Sequence, residues 1–277
     1  MEIFDIIKSV IFGIVEGITE WLPISSTGHM ILLNELVKLN VSNDFREMFL
    51  VVIQLGAILA VVVLFFHKLN PFSPDKTPAE KKNTWNLWAK VVVSIIPSGL
   101  VGVLFDDWMD ANLHTSTVVA AMLIVYGVAF ILVERRYQGR RLAVSDVDHM
   151  DWKTAIGIGL FQCLSLIPGT SRSGSTILGG ILLGASRSAA AEFSFFMAIP
   201  TMLGASGIKL LKFFMTGVGF AGPEIAVLLV GCAVSFLVSL LVIRGLMNYV
   251  RHHSFSAFGV YRIVLGILVL AYFAIAK

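Results

Sequence analysis

Six long apolar stretches constrain the fold of this chain more than any other feature of its sequence. Crossing a bilayer takes about 20 consecutive, mostly apolar residues, and the 277-residue chain contains six stretches of that kind. Only 14% of its residues are charged, whereas an average soluble domain has about 25%. The chain is therefore predicted to be an all-α polytopic membrane protein with six transmembrane helices. The predicted spans are 47–66, 86–105, 115–135, 188–214, 223–247 and 255–276.

Two further apolar segments, residues 2–39 and 153–184, are interrupted in the middle by Pro, Gly, Ser and Thr. Irregular backbone at membrane depth persists only where it is buried in protein or lines a wet cavity. Each segment is therefore predicted to be a re-entrant helical hairpin, which enters and leaves on the same face. A hairpin plus three spans makes up residues 2–135, and the same order recurs over 153–276. We predict one integral membrane domain, 1–277, built as an inverted-topology repeat whose broken helices meet near the midplane.

The distribution of Lys and Arg predicts how the chain is oriented. Of the 21 Lys and Arg residues, 13 lie on the face to which the predicted topology assigns loops 67–86 and 136–153, and only six lie on the opposite face. Cytoplasmic loops carry the excess of Lys and Arg, so this face is predicted to be cytoplasmic and both termini to lie outside. The net charge of +3 does not indicate a nucleic-acid partner.

The first broken segment carries two carboxylates, Glu16 and Glu20, which share one face of a helix because they are four residues apart. An ionised side chain at membrane depth costs at least roughly 2.5–3.5 kcal/mol, so such residues usually mark a functional site. Both could bind a divalent cation such as Mg²⁺ or Ca²⁺, which prefers oxygen ligands. One of them, Glu20 above all, could instead act as a general base. The simplest alternative is that both only shape a water-filled entrance.

The polar stretch that follows, from Pro23 to His29, has the composition of an anion site. Ser25, Ser26 and Thr27 supply hydroxyl groups just before a returning helix, whose free N–H groups would point at an anion. Within this stretch, Ser26 is the candidate nucleophile and His29 the candidate acid–base group. Helix capping by the hydroxyl groups is the alternative interpretation.

The second broken segment supplies an arginine. Arg172 is the only charged residue between positions 154 and 186, and it is flanked by Ser171 and Ser173, with Thr176 one turn further. A planar guanidinium group among hydroxyl groups at the start of a helix suits a phosphate. Neutralising the carboxylates of the first segment is the alternative role, and the two roles are compatible.

These stretches resemble a known family. "EGITE", "LPISSTGH" and "PGTSRSGST" closely resemble the motifs of the bacterial undecaprenyl-diphosphate phosphatases, also called bacitracin-resistance proteins. The resemblance covers essentially the whole chain. The family's E/Q-x-x-x-E motif corresponds to Glu16 and Glu20. Its P-G-x-S-R-S-x-x-T motif corresponds to Pro168, Gly169, Ser171, Arg172, Ser173 and Thr176.

The resemblance implies an enzyme of the bacterial plasma membrane that removes the terminal phosphate of undecaprenyl diphosphate. Its product would be undecaprenyl phosphate, the lipid carrier of cell-wall precursors. The resemblance also implies dependence on a divalent cation and a site open to the outer face, and we leave a homodimer open. A transporter of phosphorylated polyprenyl lipid is the rival hypothesis, because broken helices in inverted repeats are typical of alternating-access carriers. Within the enzyme hypothesis, either Ser26 or a water molecule could attack the phosphorus.

Overall fold

The fold is almost entirely helical in this computed structural model, which describes residues 2–113, 115–137, 139, 143–215, 217 and 219–275. Within these residues the only β-type pairing is an isolated bridge between Val144 and Ala185. In chain order the helices are Glu2–Thr19 (α1), Ser26–Leu36 (α2), Asn43–Val52 (α3), Gln54–Leu64 (α4), Phe66–Leu69 (α5), Pro78–Leu113 (α6), Ser116–Tyr137 (α7), Trp152–Cys163 (α8), Arg172–Leu182 (α9), Arg187–Met215 (α10), Gly222–His252 (α11) and Ser256–Ile275 (α12).

Among the described residues, six helical segments are long and apolar enough to cross a membrane, and they lie at the six predicted places. The all-α polytopic fold is thereby confirmed. The first span is two helices, α3 and α4, which join at Ile53. Helix α6 is much longer than the predicted span 86–105, since it begins at Pro78, passes through Pro97 and ends at Leu113. The six segments are Asn43–Leu64, Pro78–Phe105, Ser116–Tyr137, Arg187–Met215, Gly222–His252 and Ser256–Ile275.

The two interrupted segments both have the helix–break–helix order expected of a hairpin. Residues 20–25, called loop A below, separate α1 from α2. Residues 164–171, called loop B, separate α8 from α9 and begin with one 3₁₀ turn. The re-entry of either segment into a membrane stays a prediction.

Loops A and B end in the same local conformation. Ser25 and Ser171 both have a φ of 73°, which residues other than glycine rarely adopt. Each is the N-cap of the helix that follows. Ser25 Oγ accepts a hydrogen bond from Gly28 N at 3.2 Å, and Ser171 Oγ accepts one from Gly174 N at 3.1 Å. The two loops therefore present the first turns of α2 and α9 in the same way.

Helix packing is reciprocal between the two halves of the chain. Helix α1 of the first half packs on α11 of the second, and α8 of the second packs on α6 of the first. Helices α7 and α12, the last in each half, pack on each other. Such an exchange of partners is what a twofold-related pair of halves would produce, and the inverted repeat stays a prediction.

Glycines let the broken helices approach their partners closely. A Cβ atom on Gly13 of α1 would lie 2.7 Å from the carbonyl oxygen of Gly231 on α11. A Cβ atom on Gly159 of α8 would overlap the backbone of Ser94 on α6. Backbone atoms cannot move aside as the end of a flexible side chain can, so these positions require glycine.

Replacing Gly159 with alanine is expected to lower the thermal stability of the protein, because α8 would be forced away from α6. Overpacking of this kind costs about 1–3 kcal/mol. The matched control is Gly99→Ala on α6, where an added Cβ atom would meet nothing within 4 Å. The measurement is the melting temperature of both variants in detergent. Equal melting temperatures for Gly159→Ala and the wild type would contradict this account of the contact.

Candidate active site

Three side chains from the two broken segments form a hydrogen-bonded chain where loop A meets loop B. Ser26 Oγ, at the start of α2, donates to Glu20 Oε2 at 2.6 Å. Arg172 Nη2, at the start of α9, donates to Glu20 Oε1 at 3.0 Å. Glu20 is only 5% exposed, so its ion pair with Arg172 is shielded from solvent. The structure thus brings together the candidate nucleophile, a carboxylate and the candidate phosphate-binding arginine.

The guanidinium group of Arg172 is oriented by helix α10 as well as by Glu20. Arg172 Nη1 donates to the carbonyl oxygen of Ser194 at 2.8 Å and lies 3.2 Å from Ser194 Oγ. The guanidinium also lies over the ring of Trp21, 5.9 Å from its centroid. Arg172 Nε is buried and has no hydrogen-bond partner among the described residues. One N–H donor of the group therefore remains available for a ligand.

Most of the predicted substrate-binding hydroxyl groups form hydrogen bonds within the loops. Ser25 and Ser171 cap α2 and α9, as described above. Ser173 Oγ lies 3.1 Å from the carbonyl oxygen of Glu20, so it connects α9 to loop A. Thr176 Oγ1 donates to the carbonyl oxygen of Arg172 at 2.8 Å. Thr27 is exposed at the start of α2. The structure places all five near the Ser26–Glu20–Arg172 chain, and their contact with substrate stays a prediction.

The His29 ring forms hydrogen bonds with Ser25 and Tyr261, and not with the Ser26 hydroxyl group that it would have to contact as its general base. Its Nδ1 lies 2.7 Å from the carbonyl oxygen of Ser25, which can only accept, so Nδ1 carries the proton. In the neutral ring, Nε2 then accepts a hydrogen bond from the Tyr261 hydroxyl group at 2.7 Å. No hydrogen bond joins His29 to Glu20 or Ser26 among the described residues. Glu20, and not His29, is therefore the group in position to accept the Ser26 proton.

Glu16 is the least satisfied polar residue of the site. It is 0% exposed, and neither carboxylate oxygen has a hydrogen-bond partner in the described part of the chain. Because a buried carboxylate without a partner is costly, a cation is a suitable ligand for it. The described residues contain no cluster of three or more His, Cys, Asp or Glu side chains that could hold a metal ion by themselves. Glu16 and Glu20 thus fit a divalent cation that takes its remaining ligands from phosphate and water, as Mg²⁺ commonly does.

Three residues of the site region were not assigned a role from the sequence. Ser194 orients Arg172. It could have been noticed in the sequence as a polar residue within a strongly apolar helix. Arg262 is fully buried behind both loops, and it is the only charged residue of the last predicted span. Tyr261 gave no usable signal, because tyrosines near membrane interfaces are common.

Comparisons with known proteins show the family of this chain. Residues 9–268 match the model of the family described as bacitracin resistance protein BacA. The undecaprenyl-diphosphatase of Streptococcus thermophilus is 59% identical over 273 residues, which cover 99% of this chain and 95% of the relative. The undecaprenyl-diphosphatase 1 of Clostridioides difficile is 59% identical, covering 98% of this chain and 97% of the relative. The undecaprenyl-diphosphatase of Enterococcus faecalis is 57% identical, covering 99% of both chains. This chain therefore belongs to the bacitracin resistance protein BacA family.

Proposed function

We propose that this protein is an undecaprenyl-diphosphate phosphatase, which hydrolyses undecaprenyl diphosphate to undecaprenyl phosphate and inorganic phosphate. The observation that carries the proposal is the hydrogen-bonded chain of Ser26, Glu20 and Arg172. A carboxylate beside a hydroxyl group can activate it as a nucleophile, and the adjacent guanidinium group can bind the phosphate under attack. By recycling the lipid carrier of cell-wall synthesis, the enzyme would confer resistance to bacitracin.

In the proposed reaction, Glu20 accepts the proton of Ser26 while Ser26 Oγ forms a bond to the terminal phosphorus. The bond between that phosphorus and the bridging oxygen breaks, and undecaprenyl phosphate leaves with the bridging oxygen. Water then hydrolyses the phosphoserine, which restores Ser26 and releases inorganic phosphate. Direct attack by a water molecule activated by Glu20 would give the same products without the covalent intermediate.

Arg172 would stabilise the charge on the transferred phosphoryl group. Its Nε donor has no protein partner in the described residues, and its Nη2 donor can pass from Glu20 to a phosphate oxygen once the Glu20 carboxylate is protonated. Preorganised donors at the position where charge develops are usually the largest contribution to catalysis of this kind. The exposed Thr27 hydroxyl group and Ser171, Ser173 and Thr176 remain candidates for further contacts to the diphosphate.

A divalent cation would be held by Glu16 and Glu20 together with oxygens of the substrate. When bound, the cation supplies positive charge that offsets the charge of the diphosphate. His29, held by Ser25 and Tyr261, would exchange protons with solvent at the edge of the site.

We also infer the arrangement of the protein in the bacterial plasma membrane. Each broken segment would form a re-entrant hairpin, and the halves 2–135 and 153–276 would be related by inverted topology. The reciprocal packing of α1 on α11 and of α8 on α6 supports this arrangement. The excess of Lys and Arg in loops 67–86 and 136–153 supports a cytoplasmic position for those loops, with the site open to the outer face. A homodimer stays an open expectation.

The decisive assay combines the purified protein in detergent with a polyprenyl diphosphate and a phosphate readout. We expect phosphate release in Mg²⁺ or Ca²⁺, its loss with a chelator, and its return when the cation is added back. Release that is unchanged by the chelator would contradict the cation site. If the wild type released no phosphate but moved the lipid across liposome membranes, the phosphatase proposal would be wrong and a transporter would replace it.

A further inference from the structure

Arg262 of helix α12 makes hydrogen bonds to both loops of the site. Its Nη1 donates to the carbonyl oxygen of Pro23 in loop A at 3.1 Å. Its Nη2 lies 2.8 Å from the carbonyl oxygen of Gly169 and 2.9 Å from that of Thr170, both in loop B. One rigid group thus joins the two halves of the chain where they meet.

The surroundings of Arg262 hold the guanidinium group in one place. The residue is 0% exposed and forms no ion pair with a carboxylate of the described residues. On helix α7, the carbonyl oxygen of Met122 lies 3.4 Å from Nη2 and the ring of Tyr126 lies under the guanidinium at 5.4 Å. A buried charge persists only when hydrogen bonds replace its hydration. Here backbone carbonyl groups do so, which fixes where those carbonyl groups can lie.

The carbonyl groups that Arg262 binds flank the reacting groups in sequence. Pro23 lies between Glu20 and Ser26 in loop A. Gly169 and Thr170 lie just before Arg172 in loop B. A shift of either carbonyl group relative to the guanidinium would therefore change the distance between the Ser26–Glu20 pair and Arg172.

We propose that Arg262 is a positioning residue for phosphoryl transfer, which holds loop A and loop B at the separation that the reaction requires. The proposal rests on the proposed phosphatase function. Arg262 does not touch the substrate in this account. It acts through the backbones of the two loops, so that Ser26 and Glu20 from one half face a phosphate bound by Arg172 from the other.

A positioning role and a purely structural role predict different kinetics. Phosphate binding by Arg172 depends on α9 and α10, which keep their own contacts when Arg262 is changed. The alignment of that bound phosphate with Ser26 depends on the positions of both loops. Loss of Arg262 should therefore lower kcat far more than it raises KM, while a purely structural loss would reduce only the amount of folded enzyme.

The test uses full-length Arg262→Met and Arg262→Lys, assayed well below the melting temperature of each. Misplacement of reacting groups by about 1 Å can cost on the order of 100-fold in rate, so we expect that loss in kcat for Arg262→Met, with KM changed only a few-fold. Arg262→Lys keeps the charge but not the planar group of several N–H donors, and it should recover part of the lost kcat. The control is Arg187→Met, which removes an arginine that pairs with Glu134 away from the loops. It should lower the melting temperature and leave kcat unchanged.

If the Arg262 variants do not fold, Gly174→Ala provides a second test with the arginine retained. A Cβ atom at Gly174 would lie 2.9 Å from Arg262 Nη1, which the carbonyl groups hold in place. The comparison is Gly28→Ala, at the same position of α2, where the nearest atom to the added Cβ would be 3.5 Å away. We expect Gly174→Ala to lose much more kcat than Gly28→Ala.

The outcomes separate this inference from the proposed function. Absence of phosphate release by the wild type would count against the phosphatase function itself. With an active wild type, a folded Arg262→Met variant of normal kcat would overturn the positioning role. So would equal kcat values for Gly174→Ala and Gly28→Ala, or a loss that appears in KM alone.

Discussion

Replacing Arg172 with alanine is expected to lower kcat for phosphate release by roughly 10³-fold or more, which is the lower end of what a transition-state arginine contributes to phosphoryl transfer. The guanidinium group contacts Glu20 from the start of α9 and is oriented by Ser194, so it lies beside the carboxylate that would accept the Ser26 proton. Its removal takes away the positive charge nearest the reacting groups. It also leaves the buried carboxylate of Glu20 without its ion-pair partner. The measurement is kcat and KM with a polyprenyl diphosphate at saturating divalent cation.

Two further variants make the Arg172 result specific. Arg172→Lys retains the charge, but its single nitrogen cannot lie both at the Nη2 position beside Glu20 and at the Nη1 position beside Ser194, so it should recover little of the lost rate. Arg187→Ala breaks a comparable pair with Glu134, in which the arginine and carboxylate are 2.5 Å apart. That control should lose stability without a matching loss of kcat. An Arg172→Ala enzyme with full activity would show that the phosphate is bound elsewhere.

The helices of the fold could be predicted because each span depends on local composition. Every apolar stretch of about 20 residues has to satisfy its backbone within itself, and a helix is the simplest way to do so. The residues at which the helices begin and end were less predictable. Helix α6 runs from Pro78 to Leu113, and its N-terminal extension begins with Pro78, which suits a first helical turn, followed by Ala79, Glu80 and Lys81, which are good helix formers outside the apolar stretch. The length of an apolar stretch therefore does not predict how far its helix extends into the flanking polar residues.

The site was predictable as a set of residues but not as a set of contacts. Glu20, Ser26 and Arg172 stand out because each is polar within an apolar segment. The hydrogen bond from Ser26 to Glu20, and not to His29, depends on how loop A turns between Trp21 and Ser25. The backbone of that turn accepts hydrogen bonds from Ser173 of α9 and from Arg262, which lie far away in the sequence. A sequence motif shows which side chains are present. The direction in which each side chain points depends on contacts with the other half of the chain.

The reciprocal packing explains why one residue of α12 can matter to both loops. Each broken helix rests on a helix of the opposite half, so neither loop is held by its own half alone. The last helices of the halves, α7 and α12, pack on each other directly behind the loops. Arg262 of α12 can therefore bind the backbone of Pro23, more than a hundred positions away in the sequence.

Replacing Ser26 with alanine is expected to lower kcat to the rate at which a water molecule attacks the phosphorus in place of the serine. A positioned general base contributes about 10²–10⁴-fold, and Ser26→Ala removes the group on which Glu20 acts. If Ser26 is the nucleophile, phosphate from a labelled diphosphate should be trapped on Ser26 by rapid acid quenching of the wild type. Glu20→Gln should abolish this labelling and lower kcat. The control is Ser206→Ala, since Ser206 is buried beside Val51 and away from the loops.

The double variant distinguishes the covalent route from attack by water. Residues that act as one unit show strongly non-additive losses, so Glu20→Gln with Ser26→Ala should be little worse than the poorer single variant. Additive losses would mean that Glu20 and Ser26 act separately. Near-normal turnover by Ser26→Ala, without any labelled serine in the wild type, would assign the attack to a water molecule activated by Glu20. In that case the 2.6 Å contact would only orient the carboxylate.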